Sequence, residues 1–112
     1  MARTVTRTVS GTGPIASAPY KVDVLSPVFA LGFGCVVVSG APTFTVQHCY
    51  DDSSVIDAGG ATWFNHATVA GKTANAEGNY GAGQGPVTGI RVLITTGTGV
   101  VTLSIVQPGP WS

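Results

Sequence analysis

The sequence predicts an all-β protein: an antiparallel β-sandwich, jelly-roll-like or Ig-like, with an extended N-terminal arm. Three observations carry that expectation. Apolar residues recur at a period of two in the patterned stretches 28–50 and 88–107, and no helical period lasts more than a turn or two. Sixteen glycines and seven prolines punctuate a chain rich in Thr and Val, which suits short strands joined by tight turns. Each patterned stretch makes one strongly apolar face, and two such faces cover each other in a sandwich. With 112 residues there is room for one core. The chain divides into an arm (1–19), a sandwich domain (20–107) and a tail (108–112).

In the arm, Arg3, Val5, Arg7 and Val9 alternate with Thr4, Thr6, Thr8 and Ser10. One face of such a strand is half charged, which is poor for a core strand and apt for an edge or docking strand. It reads either as a mobile tail or as a strand that orders on a neighbour. Tyr20 to Leu25 is expected as a short strand, ended by Ser26-Pro27. Val28–Val38 and Thr43–Tyr50 read as a hairpin turning at 39–42, in which Val37 meets Phe44, Cys35 meets Val46, Phe33 meets His48 and Leu31 meets Tyr50. Asp51 to Gly60 is a polar loop, a short strand is expected around Trp63 and Phe64, and Lys72 to Pro86 reads as a long surface loop. Loops of that length tend to be functional.

Residues 88–107 organise the rest. Read as a hairpin about the turn 96–99, they set Ile94 against Val101, Val92 against Leu103 and Ile90 against Ile105. A slip of one residue would turn all of these to water, so the register is pinned. Each is worth at most about 1.5–3 kcal/mol when fully buried. The tail Pro108-Gly109-Pro110-Trp111-Ser112 is not expected to extend a sheet, because proline lacks the amide donor.

Composition excludes whole classes of function. Charged residues are 9% of the chain and the formal net charge is zero, with no cluster of Lys or Arg to neutralise phosphates, so no nucleic-acid partner is expected. No apolar run approaches the ~18 residues of a membrane helix. The start, MARTVTRTVSG, has no apolar run after its arginines and does not read as a signal peptide. A mean hydropathy of +0.35 with so little charge leaves little to keep molecules apart, so the chain is expected to work against another protein.

The candidate chemistry is sparse. Cys35 and Cys49 fall on opposite faces of the expected hairpin, so they read as free buried thiols, consistent with a reducing compartment. His48 and His66 with Asp51, Asp52 and Asp57 match no zinc or calcium spacing. His48 reads as a hydrogen-bonded core or interface residue. No nucleophile elbow or phosphate loop is present. The expectation is therefore no enzyme, no cofactor and no metal. Trp63, Phe64 and Trp111 beside polar loops serve either as binding anchors or as plugs at the end of the core.

Several segments together are similar to small proteins of tailed bacteriophages, usually encoded near the major capsid protein. They are Val46-Gln47-His48 before Asp51-Asp52, Thr62-Trp63-Phe64-Asn65-His66, the run from Lys72 to Tyr80, and Pro86-Val87-Thr88-Gly89-Ile90-Arg91. The resemblance covers roughly residues 28–107. It implies a non-enzymatic virion structural protein, a decoration (cement) protein on the capsid surface, resident in host cytoplasm during assembly. The implied partners are the major capsid protein and other copies of the chain. The alternative is a receptor- or carbohydrate-binding module of a tail fibre or another minor head or tail component. The residues expected to make protein contacts are Arg3, Val5, Arg7, Val9, Trp63, Phe64, His66, Asn79, Tyr80 and Trp111.

Overall fold

The computed structural model describes residues 2–22, 31–80 and 87–108. Nine strands and one short helix follow in order: β1 (Ala2–Thr12), β2 (Ile15–Ala16), β3 (Tyr20–Lys21), β4 (Leu31–Gly40), β5 (Thr43–Cys49), α1 (Ser53–Asp57), β6 (Phe64–Asn65), β7 (Ala76–Tyr80), β8 (Gly89–Thr96) and β9 (Thr98–Pro108). They form two antiparallel sheets, one ordered β1-β9-β4-β7 and one ordered β2-β8-β5-β6, with β3 also on β8. Most connections carry the chain from one sheet to the other; β2 to β3 and β5 to β6 stay in place. That alternation is a jelly roll.

The fold class is as expected, but the two hairpins are not hairpins. β8 and β9 lie in different sheets, as do β4 and β5. Ile90, Val92 and Ile94 enter the core from one layer, and Val101, Leu103 and Ile105 from the other. The reason is economy of burial. Paired side by side, the six would make one apolar face still needing cover; folded over, the two triplets cover each other. The chain turns this corner at Gly97, whose φ is +79°. A Cβ there would meet the Ala41 carbonyl oxygen at 2.6 Å, so the two sheet-crossing corners pack against each other and only glycine fits. Ala41 N–H donates to the Thr98 carbonyl oxygen at 3.0 Å, tying them further.

The extended N-terminal segment pairs within its own chain. β1 runs antiparallel to β9 from Ala2 opposite Pro108 to Thr12 opposite Thr98. β9 thus reaches Pro108, one residue into the expected tail, and residues 109–112 lie outside the described part. The run 72–86, expected as a loop, contains β7, paired with β4 from Leu31–Tyr80 to Cys35–Ala76. Its inner positions are Ala76, Gly78 and Tyr80, so no apolar alternation marks it as a strand. Gly78 is small because Phe33, His66 and Val69 fill the space a side chain would take. The exposed edge of β5 is covered by the segment after β6: His66 N–H donates to Val46 O at 2.8 Å, Val46 N–H to Val69 O at 2.9 Å, and Phe44 and Lys72 exchange bonds of 2.8 Å. A satellite cluster of Cys49, Ile56 of α1 and Trp63 closes over Gly89 on the outer side of β8.

Candidate functional site

The residues expected to make contacts separate into three places. On β1, Val9 is buried in the core and Val5 packs against it. Arg7 is half-buried, its guanidinium 5.7 Å from the Tyr20 ring centroid and its Nη1 donating to Thr6 O at 3.0 Å. The side of β1 that faces outward is therefore Thr4, Thr6, Thr8 and Ser10, not the Arg–Val side. Arg3 pairs by its backbone with Gln107, its side chain lying outside the described part, as does Trp111.

At the mouth of the sandwich, where β5, β6 and β7 meet, aromatic and imidazole rings gather. His66 is buried and its hydrogen bonds are fully committed. Nδ1 accepts from the backbone N–H of Thr68 and of Val69, each at 3.1 Å, so Nε2 holds the proton and donates to Asn79 O at 3.0 Å. Its ring meets Phe33 and Tyr80 edge-on at 5.1 and 4.9 Å. Tyr80 is buried too, its hydroxyl 2.8 Å from His48 Nδ1. His66 and Tyr80 thus hold the mouth together and are withdrawn from contact with a partner. Burial, with the nearby Tyr50, raises the Tyr80 phenol above its ordinary pKa, so it stays protonated. Burial, with His66 adding to it, lowers the His48 pKa and keeps that ring neutral.

Outside this buried pair stand Tyr50 and Phe64, 55% and 49% exposed, with ring centroids 5.7 Å apart. Between His48, Tyr50, Asn65, Ala67, Tyr80 and Val87 lies a cleft of about 140 Å³. Trp63 turns elsewhere and stacks on Arg91 at 4.5 Å. Arg91 Nε donates to Gln47 Oε1 at 2.9 Å, and Gln47 Nε2 donates to Asn65 Oδ1 at 2.9 Å. Because a guanidinium only donates, this relay fixes both amides: Gln47 turns its oxygen to Arg91, and Asn65 its oxygen to Gln47. The Asn65 Nδ2 is left pointing away. Neither histidine bonds a carboxylate among the described residues; Asp51 Oδ2 instead accepts the Thr62 N–H at 2.7 Å. No group of three His, Cys, Asp or Glu among the described residues could hold a metal ion.

The third place is the outer face of the β1-β9-β4-β7 sheet. Register sets Thr4 beside Val106, Gly32 and Asn79, then Thr6 beside Ser104, Gly34 and Glu77. Thr8 follows beside Thr102 and Val36, with the two threonine hydroxyls 3.2 Å apart. Glu77 is the one charged side chain in these rows. Val36, Val38 and Val106 are 48%, 60% and 42% exposed. A shallow hollow of about 400 Å³ runs between β4 and β7, lined by Gly34, Val36, Asn75, Ala76 and Glu77. Sequence reading missed this face, because Thr, Gly and Val at outward positions resemble ordinary strand filler.

No protein-family model matches the chain, and no curated protein does. Among solved structures, the fold is similar to that of a chain from Bacillus endospore appendages, described as a novel family of disulfide-linked pili. The superposition has a TM-score of 0.52 at 12% sequence identity, over 97% of this chain and 88% of that one. At that identity the likeness is one of fold: a β-rich sandwich.

Proposed function

We propose that the chain is a non-enzymatic virion structural protein, a decoration (cement) protein that binds the outer surface of a phage capsid and stabilises its lattice. The sequence resemblance supports this reading, and the outer face of the β1-β9-β4-β7 sheet supplies a surface for it. The observation that carries it is the pair Gly32 and Gly34. Neither has a positive φ, and a Cβ on either would meet nothing within 4 Å. The fold has no use for these glycines. In a strand interior each costs roughly 0.5–1 kcal/mol relative to alanine. Such a strand glycine often marks a bulge, a tight bend or a place where a ligand or another backbone comes close, and we read the last here.

A face of Thr, Ser, Val and Gly with one carboxylate meets another protein without stranding charge. The partners in this reading are the major capsid protein and neighbouring copies of the chain. A protein that binds only the assembled lattice stabilises it by mass action. The Bacillus pili are disulfide-linked, whereas Cys35 and Cys49 are both buried and free, so contacts through this face are non-covalent.

The test is co-sedimentation of the purified chain with capsids that lack it. The wild-type chain is expected to pellet stoichiometrically and saturably. Gly34→Lys, whose side chain extends into open space, should keep the wild-type fold with a melting temperature no lower than wild type, yet stay in the supernatant. Wild-type retention of that variant removes this face from the reading, and failure of the wild-type chain to pellet ends the capsid role.

A further inference from the structure

We propose that the cleft at the mouth of the sandwich binds a neutral sugar ring, with Tyr50 as the stacking surface and His48 and Asn65 as the groups that read its hydroxyls. The size fits a single ring: about 140 Å³, beside the ~150 Å³ of a cavity known to hold benzene. Tyr50 is 55% exposed on the edge of this space, and Phe64 braces it from outside. An exposed aromatic face matches the C–H face of a pyranose.

The polar groups are pre-aimed. His48 is held by Tyr80 through Nδ1, which leaves Nε2 without a hydrogen-bond partner among the described residues. The Arg91–Gln47–Asn65 relay holds the Asn65 amide so that Nδ2, with no partner among the described residues, can donate. Such outer support is what keeps a recognising group in place before the ligand arrives. Among the described residues no Lys, Arg, Asp or Glu lines the cleft, so an anionic or cationic ligand finds no partner there. An apolar side chain from a protein partner fits less well, because it would cover His48 Nε2, Tyr50 Oη and Asn65 Nδ2 without satisfying them. A sugar hydroxyl satisfies each.

The inference is independent of capsid docking, which uses the other sheet. It is tested by titrating methyl glycosides of glucose, galactose, mannose and N-acetylglucosamine into the isotope-labelled full chain and following its NMR spectrum. Saturable shifts of Tyr50, Asn65 and the His48 ring are expected with at least one of them. Tyr50→Ala and Asn65→Ala, both at exposed positions, should each weaken binding about tenfold, equivalent to ~1.4 kcal/mol. Gly34→Lys should leave it unchanged. Absence of saturable shifts for all four glycosides overturns the proposal, as do shifts insensitive to both cleft variants. Loss of capsid binding in Tyr50→Ala, with no response to any glycoside, would make the cleft an anchor for a protein side chain instead.

Discussion

Two glycines on neighbouring rungs of one ladder should respond to the same substitution with opposite signs. Gly34 on β4 pairs with Glu77, and Gly78 on β7 pairs with Phe33. Both are strand-interior glycines, so replacing either by alanine removes unfolded-state freedom worth about 0.4–1 kcal/mol. At Gly34 nothing opposes that gain, since the new methyl meets nothing within 4 Å. At Gly78 the methyl would lie 2.8 Å from Phe33 Cζ, 3.1 Å from His66 Cε1 and 3.2 Å from Val69 Cγ2. These rings belong to the mouth cluster and cannot retreat without breaking the His66 bonds, so overpacking costs about 1–3 kcal/mol. The expectation is a stabilisation of about 0.5–1 kcal/mol for Gly34→Ala and a net loss of about 1–2 kcal/mol for Gly78→Ala. At ~4–8 °C per kcal/mol, the melting temperatures of the two variants should differ by about 6–24 °C. Thermal and urea unfolding followed by circular dichroism measures both. A destabilised Gly34→Ala would mean that its outer face is already packed, and an unaffected Gly78→Ala would mean that the mouth is loose; either result refutes the reasoning.

Two further outcomes follow from buried titratable groups. The His48 pKa is lowered by burial and by His66, so the unfolded chain takes up the proton more readily. The stability this confers is complete above the unfolded value of about 6.5 and is lost as pH falls below it. The urea midpoint should therefore drop between pH 7.5 and 5.5, and His48→Gln should flatten that drop; an equal drop in the variant would remove His48 as its source. Burial pushes the Cys35 thiol up to about 12, and Cys49 is fully buried beneath Ile56. A disulfide-exchange reagent at pH 8 should leave both thiols unlabelled in the native protein and reach both in denaturant, whereas rapid labelling of the native chain would contradict their burial.

The sequence made the faces legible and left the neighbours hidden. Alternation at 90, 92 and 94 and at 101, 103 and 105 placed these side chains in the core, where they are. A period of two is the same, though, whether two strands pair edge to edge or stack across a core, so the hairpin reading had no local signal against it. The deciding feature, Gly97 packed on Ala41, joins residues far apart in the chain. β7 escaped notice because its inner side is filled by Phe33 and His66 from elsewhere. The aromatic segment at 63–66 was visible, but its split was not: Trp63 faces Arg91, Phe64 braces Tyr50, and His66 supports the interior. Tyr50 itself carried no signal, reading as the last residue of a strand.

The pairing of β1 with β9 sets the order in which the molecule can form. Ala2 is opposite Pro108, so β1 leaves the ribosome long before the strand it pairs with. β9 also lies between β1 and β4 in that sheet. Until it emerges, the nascent chain holds a threonine-rich strand with both edges bare and a β4 paired on one side alone. Contacts of such long sequence separation close slowly, and bare edges recruit other strands in the meantime. During synthesis β1 is thus exposed to pairing with other chains until β9 arrives. Its regular threonines and two arginines, rather than a run of valines, are what make that wait tolerable.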